Sequence, residues 1–269
     1  MLTGDPFTVV LKTNPPAPWI GGKRLLSGQI IALIEGCPHR TYIEPFFGMG
    51  GVFFRRTRVP KAEVINDRSD EVFNFFRILQ RHYPQLMDMM KYQLASRKEF
   101  DRLHASDPRV LTELERAARF IYLQRLSFAG KVRGQSFGVC KNASSRFNVA
   151  NVGAVLEAVH ERLAGVVIEN LDWLDLVQRY DSPTALFYFD PPYYGHEGAY
   201  GRGMFDSEQY ERLADQLARL KGRFVLSIND DPLMRAVFKD FRINELDVEY
   251  TASRSRRIRR KELVIQSLQ

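Results

Sequence analysis

The chain has 269 residues, 45% hydrophobic and 26% charged, enough to bury one substantial core and a smaller subdomain. No apolar run approaches the roughly 20 residues that cross a bilayer, the N-terminus lacks a signal-peptide pattern, and the two cysteines, Cys37 and Cys140, form neither a disulfide framework nor metal-ligand spacing. We therefore expect a reduced, cytoplasmic protein that binds no metal and has no membrane partner.

The excess of positive charge lies in one segment. The formal net charge is +7, and residues 91–150 contain twelve Lys and Arg against five Asp and Glu, whereas the other 27 basic and 27 acidic residues cancel. A run of charge usually indicates a solvated helical face, but an excess confined to one segment favours a polyanion. We expect the partner to be nucleic acid.

Alternating strand and helix patterns at both ends of the chain predict an α/β fold with a doubly wound sheet. Short apolar runs predict strands at 41–44, 62–66, 166–169, 185–189 and 224–228, and helical periodicity predicts helices at 69–81 and 206–220, the second with Asp206 as its N-cap. Residues 242–250 and 262–268 predict an antiparallel hairpin at a sheet edge, joined by a basic loop.

The middle of the chain has helical periodicity without strands. It predicts a small helical subdomain, residues 84–150, inserted into a domain formed by residues 1–83 and 151–269, with a long helix that starts at Pro108. The segment 127–138 then mixes glycines, cations and aromatic residues, which is typical of a loop that contacts phosphates and bases.

The tetrapeptide Asp190-Pro191-Pro192-Tyr193 follows the apolar strand 185–189. Two prolines remove two backbone donors, so the carbonyl groups of Asp190 and Pro191 are available as acceptors in a cleft, and the Tyr193 ring can stack. This combination suits a flat heteroaromatic ring that carries an amino group. The alternative is a strand that simply ends at a Pro-Pro turn.

Three further features predict a nucleotide-like ligand. The sequence Glu44-Pro45-Phe46-Phe47-Gly48-Met49-Gly50-Gly51 joins a strand to a helical start, and Asp67 follows the next strand, where a ribose diol would bind. Upstream, Trp19-Ile20-Gly21-Gly22-Lys23 allows close backbone approach, and Lys23 could meet a ligand carboxylate. The alternative for this upstream segment is an arm that only packs.

Together these segments resemble the DNA adenine-N6 methyltransferases, in the Dam-like order of glycine motif, recognition insert and Asp-Pro-Pro-Tyr. The resemblance implies a Rossmann-like fold that binds S-adenosyl-L-methionine, with an antiparallel C-terminal hairpin, and an insert that reads double-stranded DNA. The cofactor contacts it implies, together with the neighbours that we assign to them, are Trp19, Gly22, Lys23, Glu44, Pro45, Phe46, Gly48, Gly50, Asp67, Asp172 and Asp190.

We expect direct in-line transfer of a methyl group to the N6 amine of a flipped-out adenine. Asp190 and the Pro191 carbonyl would accept the two amine hydrogens, with Pro192 fixing the turn and Tyr193 stacking on the base. The DNA contacts that we expect are Arg125, Ser127, Lys131, Arg133, Tyr194, Arg256, Arg257 and Arg259.

Four alternatives remain open from the sequence. Cytosine N4 presents the same amine chemistry, and RNA could replace DNA. A nucleotide-binding oxidoreductase would share the glycine turn, but it would not explain the segment Asp190-Pro191-Pro192-Tyr193. A catalytically silent DNA-binding relative would keep the positive charge and lose affinity for the cofactor.

Overall fold

A mostly parallel sheet forms the centre of the computed structural model, which describes residues 7–138, 142, 144–199, 205–253 and 256–268. Its helices are α1 (Ser27–Glu35), α2 (Asp70–Arg81), α3 (Tyr83–Met90), α4 (Arg97–Ala105), α5 (Glu113–Leu126), α6 (Val149–Arg162), α7 (Trp173–Tyr180), α8 (Glu208–Ala218) and α9 (Pro232–Val237). Its strands are β1 (Thr8–Val9), β2 (Thr41–Glu44), β3 (Arg58–Val59), β4 (Ala62–Asn66), β5 (Val167–Glu169), β6 (Ala185–Phe189), β7 (Arg223–Asn229), β8 (Arg242–Ser253) and β9 (Arg256–Gln266).

The strand order in the main sheet is β5-β4-β2-β6-β7-β9-β8. The first five strands are parallel, β9 runs antiparallel to β7, and β8 pairs with β9 at the outer edge. Strand β6 is buried along its whole length, as expected for a strand covered on both faces. The order turns outward in both directions from β2 and β6, so their carboxyl ends border the switch point where α/β folds bind ligands.

Helices cover both faces of the sheet. On one face the apolar core joins Tyr42 of β2 and Ile65 of β4 to Phe75 and Phe76 of α2 and Ile121 of α5. A second core packs α7 and α8 against the opposite face. The predicted α/β architecture is confirmed. Helix α5 packs on α2, and its apolar residues belong to the same core as those of the sheet. The division of the chain into a catalytic domain and a helical insert at residues 84–150 stays a prediction.

Helix α5 begins later than predicted. Pro108–Val110 forms a single 3-10 turn, and the α-helix starts at Glu113 behind Thr112. Thr112 and Glu115 form a capping box in which the Thr112 backbone N–H donates to the Glu115 carboxylate at 2.8 Å. This reciprocal cap fixes the helix start, because it satisfies donors that the first turn would otherwise leave unpaired.

Two other predicted boundaries were wrong. Ser207, not Asp206, is the N-cap residue of α8, and its side chain makes no capping hydrogen bond. The C-terminal hairpin is confirmed at the sheet edge, but its strands are longer than predicted, so most of the basic segment lies within β9. Opposite charges at facing positions, such as Asp247 and Lys261, favour this longer pairing. Strands β1 and β3 form a small antiparallel pair that the sequence did not predict.

Within the described part of the chain, no helix is both long and apolar enough to cross a membrane.

Candidate active site

A cleft of about 590 Å³ opens at the carboxyl ends of β2, β4 and β6. Residues from the N-terminal segment, the glycine turn after β2, the end of β4 and the end of β6 line it together. The predicted site residues that line it are Trp19, Gly22, Lys23, Glu44, Pro45, Phe46, Gly48, Asp67, Arg125, Asp190 and Pro192. Segments far apart in sequence therefore meet at the switch point of the sheet.

Asp190 lies at the centre of a polar network. The Lys23 ammonium contacts both of its carboxylate oxygens, at 2.6 and 2.8 Å, and also donates to the Gly21 carbonyl at 2.8 Å. The Ser227 hydroxyl donates to Asp190 Oδ1 at 3.0 Å, and because that hydroxyl has one hydrogen, the Tyr188 hydroxyl donates to Ser227 across 2.9 Å. The Asp190 side chain is only 21% exposed.

The network leaves Asp190 able to accept more hydrogen bonds. Burial raises the pKa of Asp190 above its ordinary value, and the Lys23 ammonium opposes that rise. A carboxylate offers about four lone-pair positions, of which Lys23 and Ser227 occupy three. Lys23, which we predicted to meet a ligand carboxylate, is 4% exposed and paired with Asp190.

The residues after Asp190 are fixed from three directions. The buried Tyr210 hydroxyl donates to the Pro192 carbonyl at 2.8 Å. The Asn229 side-chain amide bonds both backbone groups of Tyr194, at 3.0 and 3.2 Å, and the Tyr193 hydroxyl donates to Glu262. Pro191 and Tyr193 are not among the residues that line the cleft.

The glycine turn packs against aromatic rings. Gly48 has φ +52°, and a Cβ there would lie 2.5 Å from Trp19 Nε1, so the Trp19 ring occupies the space that a side chain would fill. Gly50 has φ +67°, and its Cβ would lie 2.5 Å from the Phe54 ring. Gly48 therefore shapes the cleft, whereas Gly50, which does not line it, allows the turn to pack on the core.

Two acidic side chains besides Asp190 line the cleft and have a raised pKa. The Asp67 carboxylate accepts the Gly48 and Ser69 backbone N–H groups at 2.8 and 2.9 Å, and burial raises its pKa to about 6. Glu44, 2% exposed, accepts the Tyr42 hydroxyl at 2.8 Å, and burial raises its pKa to about 8. Both groups can bind hydroxyl or amine donors of a ligand.

The other side of the cleft is apolar and includes residues that the sequence did not identify. Leu171, Trp173 and Phe205 line it, and Phe205 packs edge-on against Phe46 with ring centroids 5.7 Å apart. Asn66 holds this wall in place, because its amide bonds the Pro45 and Leu171 carbonyls and accepts the Leu171 N–H. The only sequence signal for Asn66 was that a polar residue ends a buried strand. Phe205 had no sequence signal.

Asp172 is not among the cleft-lining residues. Its carboxylate caps α7 through the Leu174 N–H at 3.0 Å and contacts Arg68 at 3.3 Å. Its neighbours Leu171 and Trp173 line the cleft instead. The cofactor contact that we predicted for Asp172 therefore stays a prediction.

The segment predicted to contact DNA follows α5. Lys131 and Arg133 are exposed, and the ring of Phe128, an aromatic residue of the same segment, is 58% exposed. Ser127 is buried and its hydroxyl donates to the Lys131 carbonyl at 3.1 Å, so it stabilises the turn. Arg125 lines the cleft and donates to the Pro16 carbonyl at 2.6 Å.

The remaining predicted DNA contacts belong to the segment after β6 and to β9. Tyr194 packs edge-on against Tyr210, with ring centroids 5.9 Å apart. Arg256, Arg257 and Arg259 belong to β9, but their side chains lie outside the described part of the chain, as does all of Cys140.

The donors and walls of the cleft fit S-adenosyl-L-methionine. Asp67 stands at the end of β4, where a ribose diol is held in folds of this class, and the apolar wall suits an adenine ring. Asp190, paired with Lys23, supplies a carboxylate for the amine of an amino-acid end, and Glu44, whose raised pKa keeps it protonated near neutral pH, supplies a further polar group. Among the described residues, no group of three or more His, Cys, Asp or Glu is arranged to hold a metal ion.

Comparison with known proteins also indicates a methyltransferase. Residues 19–252 match the model of the D12 class N6 adenine-specific DNA methyltransferases. The chain is 30% identical to the type II methyltransferase M1.LlaDCHI of Lactococcus lactis subsp. cremoris, over 90% of each chain, and 22% identical to M.CviBI of Paramecium bursaria Chlorella virus NC1A, over 88% of this chain and 91% of that one. It is 28% identical to the DNA N-6-adenine-methyltransferase of Escherichia phage P1, over 85% of this chain and 32% of that one. The chain belongs to the D12 class of N6 adenine-specific DNA methyltransferases.

Proposed function

We propose that this adenine-N6 DNA methyltransferase acts on one adenine of a specific site in double-stranded DNA, with the Asp190–Tyr193 turn as its catalytic segment. The observation that carries the proposal is the position of Asp190. It lies at the end of β6 in the cleft that also contains the glycine turn and Asp67. The Asp190 carboxylate, Tyr193 and the proposed cofactor-binding residues thus lie at the same end of the sheet. DNA as substrate also supports the expected cytoplasmic location.

The cofactor-binding roles follow from what each residue offers. Asp67 would hold the ribose hydroxyls, because its carboxylate is fixed by the Gly48 N–H and retains acceptor positions. Phe46 and the apolar wall of the cleft would enclose the adenine ring. The Trp19 ring, which packs on Gly48, would form another wall of the cofactor site. S-adenosyl-L-methionine, when bound, supplies the electrophilic methyl group.

Asp190 would hold and polarise the target amine. The lone pair of an exocyclic adenine amine is delocalised into the ring, so the amine is a weak nucleophile. An acceptor fixed by Lys23 and Ser227 would orient its hydrogens and favour the geometry of the transition state. The Pro191 carbonyl would accept the second hydrogen. Asp190 need not act as a strong base, because the methylated amine is acidic enough to lose its proton to water.

The target base must leave the duplex, and Tyr193 would receive it. Unstacking a base costs a few kcal/mol, whereas stacking on an aromatic side chain contributes about 1–3 kcal/mol. Lys131, Arg133 and the exposed Phe128 would hold the DNA beside the cleft, through phosphate contacts and apolar contact with the bases.

The test is transfer of a labelled methyl group from S-adenosyl-L-methionine to unmethylated DNA, with the nucleosides digested and separated. Wild type should label N6-methyladenosine, and Asp190→Asn, which keeps the size of the side chain, should lose about 100-fold or more of the rate. Asp215→Asn, an exposed position on α8, is the matched control. Unchanged activity in Asp190→Asn would remove this turn from the mechanism.

A further inference from the structure

The Tyr193 hydroxyl is held by a buried carboxylate from the C-terminal hairpin. Glu262 lies on β9, is 3% exposed and accepts the hydrogen bond from Tyr193. It faces Asn229 of β7 across the antiparallel pair, and Asn229 bonds both backbone groups of Tyr194. One cross-strand pair therefore holds both tyrosines that follow Asp190 and its prolines.

A buried carboxylate is a costly way to stabilise a sheet. Removing an ionised group from water costs several kcal/mol, and a well-packed apolar residue at such a position is often as stable or more so. The neighbours of Glu262 along β9, Leu263, Val264 and Ile265, are apolar and fully buried. A glutamate at the start of this apolar run therefore indicates a role other than packing.

One hydrogen bond and one cation contact of the Tyr193 side chain fix its ring. The hydrogen bond to Glu262 holds the hydroxyl end, and the Lys23 ammonium lies 4.7 Å from the ring centroid. Burial, together with the nearby carboxylates of Asp190 and Glu262, raises the pKa of Tyr193 well above its ordinary value, so its hydroxyl stays a donor. The ring is thus held at its far end and on one face.

We propose that Glu262 is a positioning residue for the target base: by holding the Tyr193 hydroxyl, it keeps the ring in the orientation on which the flipped adenine stacks. This inference rests on the proposed stacking role of Tyr193. It assigns a function in base capture to the C-terminal hairpin, in addition to its place in the sheet.

The experiment compares Glu262→Gln, Glu262→Ala and Tyr193→Phe with wild type. Glutamine can still accept the tyrosine hydrogen bond, alanine cannot, and phenylalanine lacks the hydroxyl. The readouts are kcat and KM for DNA, cofactor affinity by calorimetry, and the fluorescence of 2-aminopurine placed at the adenine that the wild type methylates. Glu245→Gln, at an exposed position on the same hairpin, is the control.

We expect Glu262→Ala and Tyr193→Phe each to lower kcat and the 2-aminopurine signal about tenfold, with cofactor affinity unchanged. Glu262→Gln should retain most of both, and the double variant Tyr193→Phe/Glu262→Ala should be no worse than either single one. If Glu262→Ala fails to fold, Tyr193→Phe and Glu262→Gln carry the test.

Full base flipping in Tyr193→Phe, or losses in the two single variants that multiply in the double variant, would overturn the inference. The proposed function has a separate test, because methylation of adenine by the wild type is measured in the same series without reference to Glu262.

Discussion

Removing the Ser227 hydroxyl should affect both the stability of the protein and the chemistry of the candidate site. In Ser227→Ala, Asp190 loses the hydrogen bond donated at 3.0 Å, and the buried Tyr188 hydroxyl loses its acceptor. A hydrogen bond to a charged group contributes about 1.5–3 kcal/mol, and an unpaired buried hydroxyl costs about 1–3 kcal/mol. We expect a loss of about 3 kcal/mol in the free energy of unfolding, measured by urea denaturation.

The same substitution should shift the pH dependence of catalysis. The Ser227 hydrogen bond favours the ionised form of Asp190, so its loss should raise the Asp190 pKa further, by about one unit for each 1.4 kcal/mol of lost interaction. Because the acceptor role needs the ionised form, the acid limb of the kcat profile should move to higher pH by about one unit.

The double variant Tyr188→Phe/Ser227→Ala provides the control. Phenylalanine removes the unpaired hydroxyl, so the double variant should recover about half of the lost stability while the acid limb stays shifted. The reasoning is wrong if Ser227→Ala unfolds at the wild-type urea concentration with an unshifted acid limb. It is also wrong if the double variant is no more stable than Ser227→Ala.

Three further outcomes follow from the site. Folded Glu44 keeps its proton up to about pH 8, whereas an unfolded glutamate loses it near its ordinary value, so the contribution of Glu44 to the free energy of unfolding should fall between about pH 5 and pH 8, by at most about 1.4 kcal/mol per unit. Glu44→Gln should lack this contribution, so urea titrations at several pH values should show its stability rising relative to wild type over that range. Gly48→Ala should destabilise by about 1–2 kcal/mol and displace Trp19, which calorimetry should register as at least a tenfold loss of cofactor affinity. Replacing both Lys131 and Arg133 by Ala should reduce the slope of log affinity for DNA against log salt by about 2, measured by fluorescence anisotropy.

Controls are available for the last two. Gly28 lies in α1, and a Cβ added there would meet no other atom within 4 Å, so Gly28→Ala should stabilise by about 0.5–1 kcal/mol with cofactor affinity unchanged. Arg212→Ala, at an exposed position on α8, should leave the salt slope nearly as it is in wild type. An equal loss of slope in Arg212→Ala would count against specific phosphate contacts by the loop.

The sheet could be predicted because its strands are short apolar runs with a polar residue at their end or directly after it. Thr41–Glu44, Ala62–Asn66 and Ala185–Phe189 were predicted at their observed bounds. Helix starts were less predictable, because they depend on which side chains cap them. Pro108 looked like a helix start, but the reciprocal bonds of Thr112 and Glu115 fix the start five residues later.

The site was predictable where a residue's role is local and less so where its partner is distant. Gly48 and Asp67 could be paired from the sequence, since both follow neighbouring strands. The contacts of Glu262 with Tyr193 and of Asn229 with Tyr194 depend on the register between β7 and β9, which residue spacing does not fix. Ser127 is a different case, because its hydroxyl bonds the Lys131 carbonyl only four residues away, in an irregular turn whose direction the residue pattern does not fix.

One carbonyl links the two regions that we propose to bind the cofactor and DNA. The Gly130 carbonyl accepts both the Ile20 N–H at 3.1 Å and the Gln124 amide at 2.9 Å, and a Cβ on Gly130 would lie 2.9 Å from Pro18. The base of the loop that we propose to contact DNA therefore rests on the segment that carries Trp19. If ordering one side orders the other, cofactor and DNA bind cooperatively, and by thermodynamic reciprocity each raises the affinity for the other by the same factor.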